Sequence, residues 1–390
     1  MDVQALKDTW AEVATSGDEV PHFFYSHLFL SHPETRDLFP VSMSSQRDKL
    51  VGALGRVVSN VDQLEEVVPY LQQLGRDHRR FDAVADHYPA VGASLLATLA
   101  HFLGPAWTPA VAADWAAAYG VIATVMVEAA EESEATTPAS WTAEVVSLDR
   151  RSLDVAVLQL RPTERLPFRP GQSVALEIPS RPRLWRYYSP ANAPRRDGTL
   201  ELHVQLVPGG QVSTSVLRTL RTGDAVRLGA AVGDQLVLPE DERPDLLLVA
   251  GGTGLAPMRA VVEQLAAERR DSGDGPRVHL FHGARMPWNL YEHDLLQRLA
   301  ADQPWFEYSE VVSDDPSHPG ARGLVGDAAA ASGAWQGRTT MVCGTEAMVE
   351  HTVGALTAAG APPGTVRYEQ FTTVLSGPTA DEHREAGVAP

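Results

Sequence analysis

The stretch Arg186-Tyr187-Tyr188-Ser189-Pro190-Ala191-Asn192 decides how this 390-residue chain is read. A strand-like run, Ser173 to Ile178, precedes it and is entered through Pro170-Gly171. A turn at Asp197-Gly198 and the alternation Leu200, Leu202, Val204, Leu206 follow it. That order predicts antiparallel strands of a small barrel. An arginine, an aromatic and a hydroxyl at the edge of such a barrel suit a flat, phosphorylated ligand. The guanidinium forks onto a pyrophosphate, a ring stacks on a ring, and the hydroxyl bonds a ring heteroatom. A surface arginine beside two core tyrosines accounts for the same residues, and the motif alone does not choose.

Further along, Gly209-Gly210-Gln211-Val212-Ser213 follows a strand and opens a helical run, Ser215 to Leu220. Glycines at a helix start let free backbone N–H groups approach a phosphate. An Arg-x-Tyr-Ser stretch followed by Gly-Gly-x-x-Ser resembles the FAD domain of the ferredoxin-reductase family. The resemblance implies that Arg186 and Ser213 contact the FAD pyrophosphate, that Tyr188 packs on the flavin and that Ser189 bonds it. Tyr187, Gly210, Gln211 and Val212 join the same candidate FAD surface.

Working outward, residues 139–240 continue as strands. A Thr/Ala/Ser/Pro linker, Glu134 to Ser140, gives way to alternation from Trp141, and strand signals run on to Leu236-Val237-Leu238. A closed antiparallel barrel is expected. Residues 241–376 change pattern. Asp245 to Ala250 is a buried-strand run into Gly251-Gly252-Thr253-Gly254-Leu255-Ala256-Pro257, then a helix from Met258 to Glu268. Strand, glycine turn and helix form a dinucleotide pyrophosphate site. Two further strand–helix units follow, Val278 to Phe281 with 291–300 and Thr340 to Val342 with 346–358. An α/β nucleotide-binding domain is predicted. Gly252, Thr253, Gly254 and Pro257, with the later Cys343-Gly344, resemble the nucleotide half of the ferredoxin-reductase family. That family places the Cys-Gly turn beside the nicotinamide; a small buried hydrophobe is the plainer account of Cys343. After the second strand stands His282-Gly283-Ala284-Arg285 rather than an acid, so NADH and NADPH both remain open.

Residues 1–138 read as helices throughout, at roughly 2–15, 19–30, 44–59, 64–79, 87–103 and 109–132. An all-α domain follows. His22, His27, His32, His87 and His101 show no partner pattern. His78 differs, standing near the end of a helix, where a neutral imidazole suits haem iron or simply packs in a core. Around it, Phe23-Phe24-Tyr25, Leu38-Phe39-Pro40, Gln46, Leu50, Tyr88 and Ala118-Tyr119-Gly120 resemble, in order and spacing, the globin domain of bacterial flavohaemoglobins. The resemblance makes His78 the metal ligand and Phe39 the ring wedged against haem b. It makes Tyr25 the distal donor, with Gln46 and Leu50 completing that pocket, and Tyr88 the group behind His78. The family's glutamate that completes a His–Tyr–Glu network falls on Ala130 here, with Glu128 and Glu131 flanking it. The terminal Tyr368-Glu369-Gln370-Phe371 matches the same family, whose Glu and following aromatic approach the flavin.

The resemblance implies NAD(P)H passing electrons through FAD to haem, and nitric oxide dioxygenase activity on nitric oxide and O2. An oxygen carrier, a gas sensor and a flavin reductase without haem are the rivals. Net charge of −18 argues against nucleic acid. The single cysteine fits a reducing cytoplasm. No uninterrupted apolar run reaches a membrane span, so no stable membrane insertion is expected, and the chain is expected to be a monomer. A loose tail is expected over 377–390.

Overall fold

The computed structural model describes residues 1–240 and 242–371; the expected tail, 377–390, lies outside the described residues. The chain divides into two compact units, Met1–Ser140 and Trp141 onward.

The first unit is helical. Its helices are α1 (Val3–Ala14), α2 (Glu19–Ser31), α3 (Ser44–Ser59), α4 (Leu64–His78), α5 (Tyr88–Leu103) and α6 (Pro109–Glu134). A 3-10 turn, Pro33–Leu38, leads to Phe39. Local chemistry sets these ends. Asp2 accepts from the Ala5 N–H at 3.1 Å to open α1, and Thr108 accepts from the Val111 N–H at 3.3 Å ahead of Pro109 to open α6. A Cβ on Gly75 would lie 2.2 Å from the Met126 carbonyl oxygen, so α4 and α6 cross with their backbones nearly touching. That close crossing fixes the end of α4, where His78 stands. Ala85–Ala106 and Pro109–Glu134 are long and apolar enough to cross a membrane by length and composition. The apolar residues of both are interspersed with a few polar ones, so neither is an uninterrupted apolar run. Leu95, Leu99, Leu103 and Trp115 from these helices are buried in the helical core.

The second unit holds two sheets. The first contains β1 (Trp141–Arg150), β2 (Val155–Pro162), β3 (Ser173–Glu177), β4 (Arg186–Tyr188), β5 (Leu200–Gln205) and β6 (Ala225–Val232), in the order β4-β3-β6-β1-β2-β5. All its pairings are antiparallel, and a bridge between Pro190 and Leu202 brings its two edges together as a barrel. Leu158, Leu160, Leu176, Leu200, Leu202 and Leu228 fill it. Helix α7 (Gln211–Arg218) starts four residues before the helical run that the sequence suggested, at the glycines themselves.

The second sheet is parallel, with β7 (Leu246–Gly251), β8 (Val278–Ala284), β9 (Phe306–Val312), β10 (Ala321–Arg322), β11 (Thr339–Thr345) and β12 (Val366–Phe371). Helices α8 (Leu255–Ser272), α9 (His293–Asp302), α10 (Val325–Ala331) and α11 (Glu346–Ala358) connect them. The strand order β10-β9-β8-β7-β11-β12 reverses between β7 and β11. Ligands of such sheets bind outside the strand carboxyl ends at that reversal. The expected strand at Leu236-Val237-Leu238 is instead a turn, with the Val237 N–H on the Asp234 carbonyl at 3.1 Å. Its two leucines alternate because both insert into the core beneath β7 and α8.

Candidate cofactor sites

In the helical unit, Tyr25 on α2 is buried, and its ring meets Phe39 edge-on with centroids 5.5 Å apart. Phe29 packs on both, at 5.8 Å from Tyr25 and 5.4 Å from Phe39. Leu50 on α3 joins the same apolar cluster. Sequence reading did not single out Phe29, although it stands one helical turn after Tyr25. The Tyr25 hydroxyl donates to the backbone carbonyl of Gln46 at 3.3 Å. Gln46 meets Tyr25 through its main-chain carbonyl, and its side chain works against the burial that raises the Tyr25 pKa. Burial raises the Tyr25 pKa, so the group is a donor, never a phenolate.

His78 ends α4, and its Nδ1 lies 2.6 Å from the Leu74 carbonyl oxygen. A carbonyl only accepts, so Nδ1 carries the hydrogen and Nε2 keeps its lone pair. Burial lowers the His78 pKa and favours that neutral form. A neutral imidazole with one nitrogen tied to a carbonyl and the other free is the donor set that haem iron requires. The expected network differs in its partner. Leu74, not Tyr88, holds the ring, because an acceptor one turn back on the same helix is already in reach. Tyr88 contributes its carbonyl to the Tyr119 hydroxyl at 2.6 Å. Glu128 and Glu131 are exposed on α6, and neither bonds His78 or Tyr88.

In the barrel, Tyr188 pairs with Val174 across β3·β4 and packs against the barrel core. Burial pushes its pKa up to about 12. Tyr187 sits opposite Ala175, and Arg186 opposite Leu176. The Arg186 Nη1 donates to the Trp185 carbonyl at 2.7 Å. Gly210 caps α7; a Cβ there would meet the Ser213 Oγ at 2.8 Å and the Val207 carbonyl at 3.0 Å. The Ser213 Oγ accepts from the Val207 N–H at 3.1 Å, so it braces the turn that a phosphate would approach. Gln211 is exposed at the first position of α7, and Val212 is buried beneath it.

Ser189 begins a buried chain that sequence reading missed in part. Its Oγ lies 3.0 Å from the Ser173 Oγ, which donates to the Glu369 carboxylate at 3.2 Å. Burial raises the Glu369 pKa to about 7. Ionised, Glu369 draws both hydroxyl hydrogens towards itself; protonated, it donates into the chain and frees the Ser189 hydrogen to point outward. Phe371, two residues on, is partly buried against the core beneath β7 and α8.

At the sheet reversal, Gly252 takes a φ of +53° and opens a 3-10 turn through Gly254 into α8. Thr253 lies at its middle, and Pro257 sits in the first turn of α8, which starts before the expected Met258. A Cβ on Gly254 would fall 2.1 Å from the Cys343 carbonyl oxygen. On Gly344 it would fall 2.7 Å from the Met348 Sδ. The two expected turns therefore meet at one point. Cys343 is buried between β7 and β12, opposite Ala250 and Glu369, and burial raises its thiol pKa. It faces the Glu369 register position, so the turn expected beside the nicotinamide adjoins the Ser189–Ser173–Glu369 chain.

Strand β5 contributes residues that no motif announced. Glu201, His203 and Gln205 alternate with the core leucines and face the nucleotide lobe. The His203 Nδ1 lies 2.8 Å from the Tyr291 hydroxyl. Its Nε2 lies 3.3 Å from Glu201, which pairs with Arg259 of α8. Burial pushes the Glu201 pKa up, but His203 and Arg259 outweigh it and hold the carboxylate ionised.

Comparison with known proteins supports this layout. The globin family model matches residues 22–126, the oxidoreductase FAD-binding domain 142–235 and the oxidoreductase NAD-binding domain 248–354. The flavohemoprotein of Bacillus subtilis is 27% identical over 332 residues, 80% of this chain and 81% of that one. The reductase component DmpP of a Pseudomonas phenol 2-monooxygenase is 33% identical over 59% of this chain and 67% of its own length. A flavohemoglobin from Malassezia yamatoensis, solved with bound FAD and heme, superposes with a TM-score of 0.73 at 19% identity, covering 95% of this chain and 98% of that one.

Proposed function

We propose, from the premise that the chain belongs to the flavohaemoglobin family, that it is a nitric oxide dioxygenase. Two nitric oxide and two O2 take two electrons from one NAD(P)H and give two nitrate, NAD(P)+ and a proton. When bound, haem supplies the iron where the gases meet, and FAD divides a hydride pair into single electrons. The residues of this chain bind, orient and shield. Leu74 holds His78 in the tautomer that offers Nε2. Ser213 and Gly210 shape the phosphate end of the FAD surface, and Gly254 seats the nicotinamide turn on Cys343. The same proposal takes the chain to be a cytoplasmic monomer with Cys343 kept as a thiol.

One observation carries the reading. The Tyr25 hydroxyl is buried beside Phe29 and Phe39 and donates a long bond of 3.3 Å to the Gln46 carbonyl. An O–H···O bond of good strength is about 2.7–2.8 Å. The phenol is thus a buried donor that a ligand in the distal pocket recruits at little cost. In a water-poor pocket such a donor counts for more than in solvent.

Tyr25→Phe tests it. The variant keeps the packing and loses the hydroxyl. Oxygen release from the dithionite-reduced protein, followed by stopped flow, should quicken at least several-fold, since the lost bond is worth ~1–3 kcal/mol. Nitric oxide consumption should fall, while NADH reduces the flavin as before. Unchanged oxygen release and unchanged nitric oxide turnover would remove Tyr25 from the role.

A further inference from the structure

His282 lies in β8, at the carboxyl side of the sheet, and is fully buried. It is the third partner of the glycine turn, after β7 and β11. Its Nε2 sits 3.2 Å from the Gly252 carbonyl oxygen. Burial pulls its pKa down to about 4, so the ring is neutral and has a single hydrogen. A carbonyl can only accept, which places that hydrogen on Nε2. The other nitrogen, Nδ1, has no hydrogen-bond partner among the described residues. The ring is held laterally by Tyr291, edge-on at 6.0 Å, which is itself tied to His203 of the barrel at 2.8 Å.

We propose that His282 is a positioning residue for the dinucleotide, acting through the peptide that joins Gly252 to Thr253. A trans peptide is planar, and its C=O and N–H point in opposite directions. Anchoring the Gly252 carbonyl on His282, while the Leu255 N–H takes its second lone pair, fixes that plane. The Thr253 N–H is thereby turned away from the sheet interior and outward from the helix start, where a pyrophosphate is received. Gly252 has a φ of +53° and no side chain, so the glycine itself does little to hold the plane. The bond from His282 supplies what the glycine lacks. The inference rests on the nicotinamide site alone and involves neither haem nor gas chemistry, so it stands or falls separately from the dioxygenase reading.

The test uses the full chain loaded with FAD. Anaerobic stopped-flow reduction of the flavin over a range of NADH concentrations separates the Kd for NADH from the limiting rate. His282→Leu should raise that Kd about tenfold, the loss of one buried hydrogen bond, and leave the limiting rate within about twofold. The rise in Tm on adding NAD+ should shrink in step. His282→Gln, whose amide nitrogen reaches as far as Nε2, should restore most of both. His282→Asn, polar but shorter, should not, and this pair answers the question even if the leucine variant does not fold. An unchanged Kd in His282→Leu or His282→Asn overturns the proposal. So does a Kd as weak in His282→Gln as in His282→Asn, which would assign the effect to packing instead of the donor.

Discussion

Replacing Gly254 with alanine tests the meeting of the two nucleotide turns. The new Cβ would lie 2.1 Å from the Cys343 carbonyl oxygen, 2.5 Å from its carbon and 2.9 Å from the Gly344 nitrogen. Ordinary contact begins at 3.4 Å, so the turn and β11 must part by about 1.3 Å, the difference between 3.4 and 2.1. No rotamer relieves this, because every atom in the way is backbone. Cys343 is also paired on both sides, with Ala250 of β7 and Glu369 of β12. Overpacking of this kind costs ~1–3 kcal/mol. For a unit of this size that lowers the Tm by roughly 2–12 °C. The effect on function is larger, because misplacing a reacting group by about 1 Å costs on the order of 100-fold. Anaerobic NADH-driven flavin reduction should therefore slow about 100-fold. Dithionite should still reduce the flavin, and the haem spectrum should be normal. A reduction rate and Tm close to those of the parent protein would refute the close approach and, with it, the placement of the nicotinamide turn. Gly252 is a different case. A Cβ there meets only the Gln205 Oε1 at 3.3 Å, and its constraint is the φ of +53°.

Arg186→Ala should weaken FAD binding by roughly 10- to 100-fold, since a charge-assisted contact to phosphate is worth ~1.5–3 kcal/mol. Equilibrium dialysis measures it, and full FAD retention would confine Arg186 to its bond with the Trp185 carbonyl. Glu369→Gln should change the pH dependence of stability. The folded-state pKa of Glu369 is raised from 4.5 to about 7, so between those values the folded chain holds a proton that the unfolded chain has released. Stability therefore falls as pH rises through that window, by on the order of 3 kcal/mol if Glu369 acted alone. The amide removes this term, and the variant should gain on the parent between pH 5 and pH 8 in thermal melts. Parallel curves for the two proteins would show that Glu369 is not buried as its bond to Ser173 indicates. His282 works in the opposite sense, because its lowered pKa costs stability as pH falls from 6.5 towards 4. The comparison must therefore be made between variants, not read from one curve.

The helices were legible because their signals are local. Six helical segments fall within about two residues of the expected ranges, since apolar spacing and end residues such as Thr108 and Pro109 act within one turn. Strands β3 and β5 and the glycine turn after β7 were legible for the same reason. Strand β9 and helix α10 were not. Phe306 to Val312 mixes charged and apolar residues because only part of it is buried, and Val325 to Ala331 is short and alanine-rich. The apolar alternation at Leu236 to Leu238 misled because burial in a turn imitates burial in a strand. The proximal partner of His78 was missed for another reason. A backbone carbonyl such as that of Leu74 has no residue type to read.

Strand β5 shows where a period-two reading stops. Leu200, Leu202 and Val204 identify the strand and its inward face, and polarity alone assigns Glu201, His203 and Gln205 to solvent. Yet His203 is 3% exposed. A buried polar group requires partners, and these come from Arg259 and Tyr291, far along the chain. Desolvation offsets much of the attraction in a buried ion pair. The consequence of Glu201 meeting Arg259 is therefore best sought in geometry: it sets which residue of α8 faces the barrel. Arg259 lies just beyond Pro257, in the helix that begins at the glycine turn. Tyr291, held by His203, packs on the same His282 that holds Gly252. Gln205 completes the row, its Oε1 close to Gly252 and its Nε2 donating to Asp154 at 3.1 Å. One polar strand face thus reaches the nucleotide turn at three points. The flavin barrel and the dinucleotide turn are aligned by residues that neither motif contains.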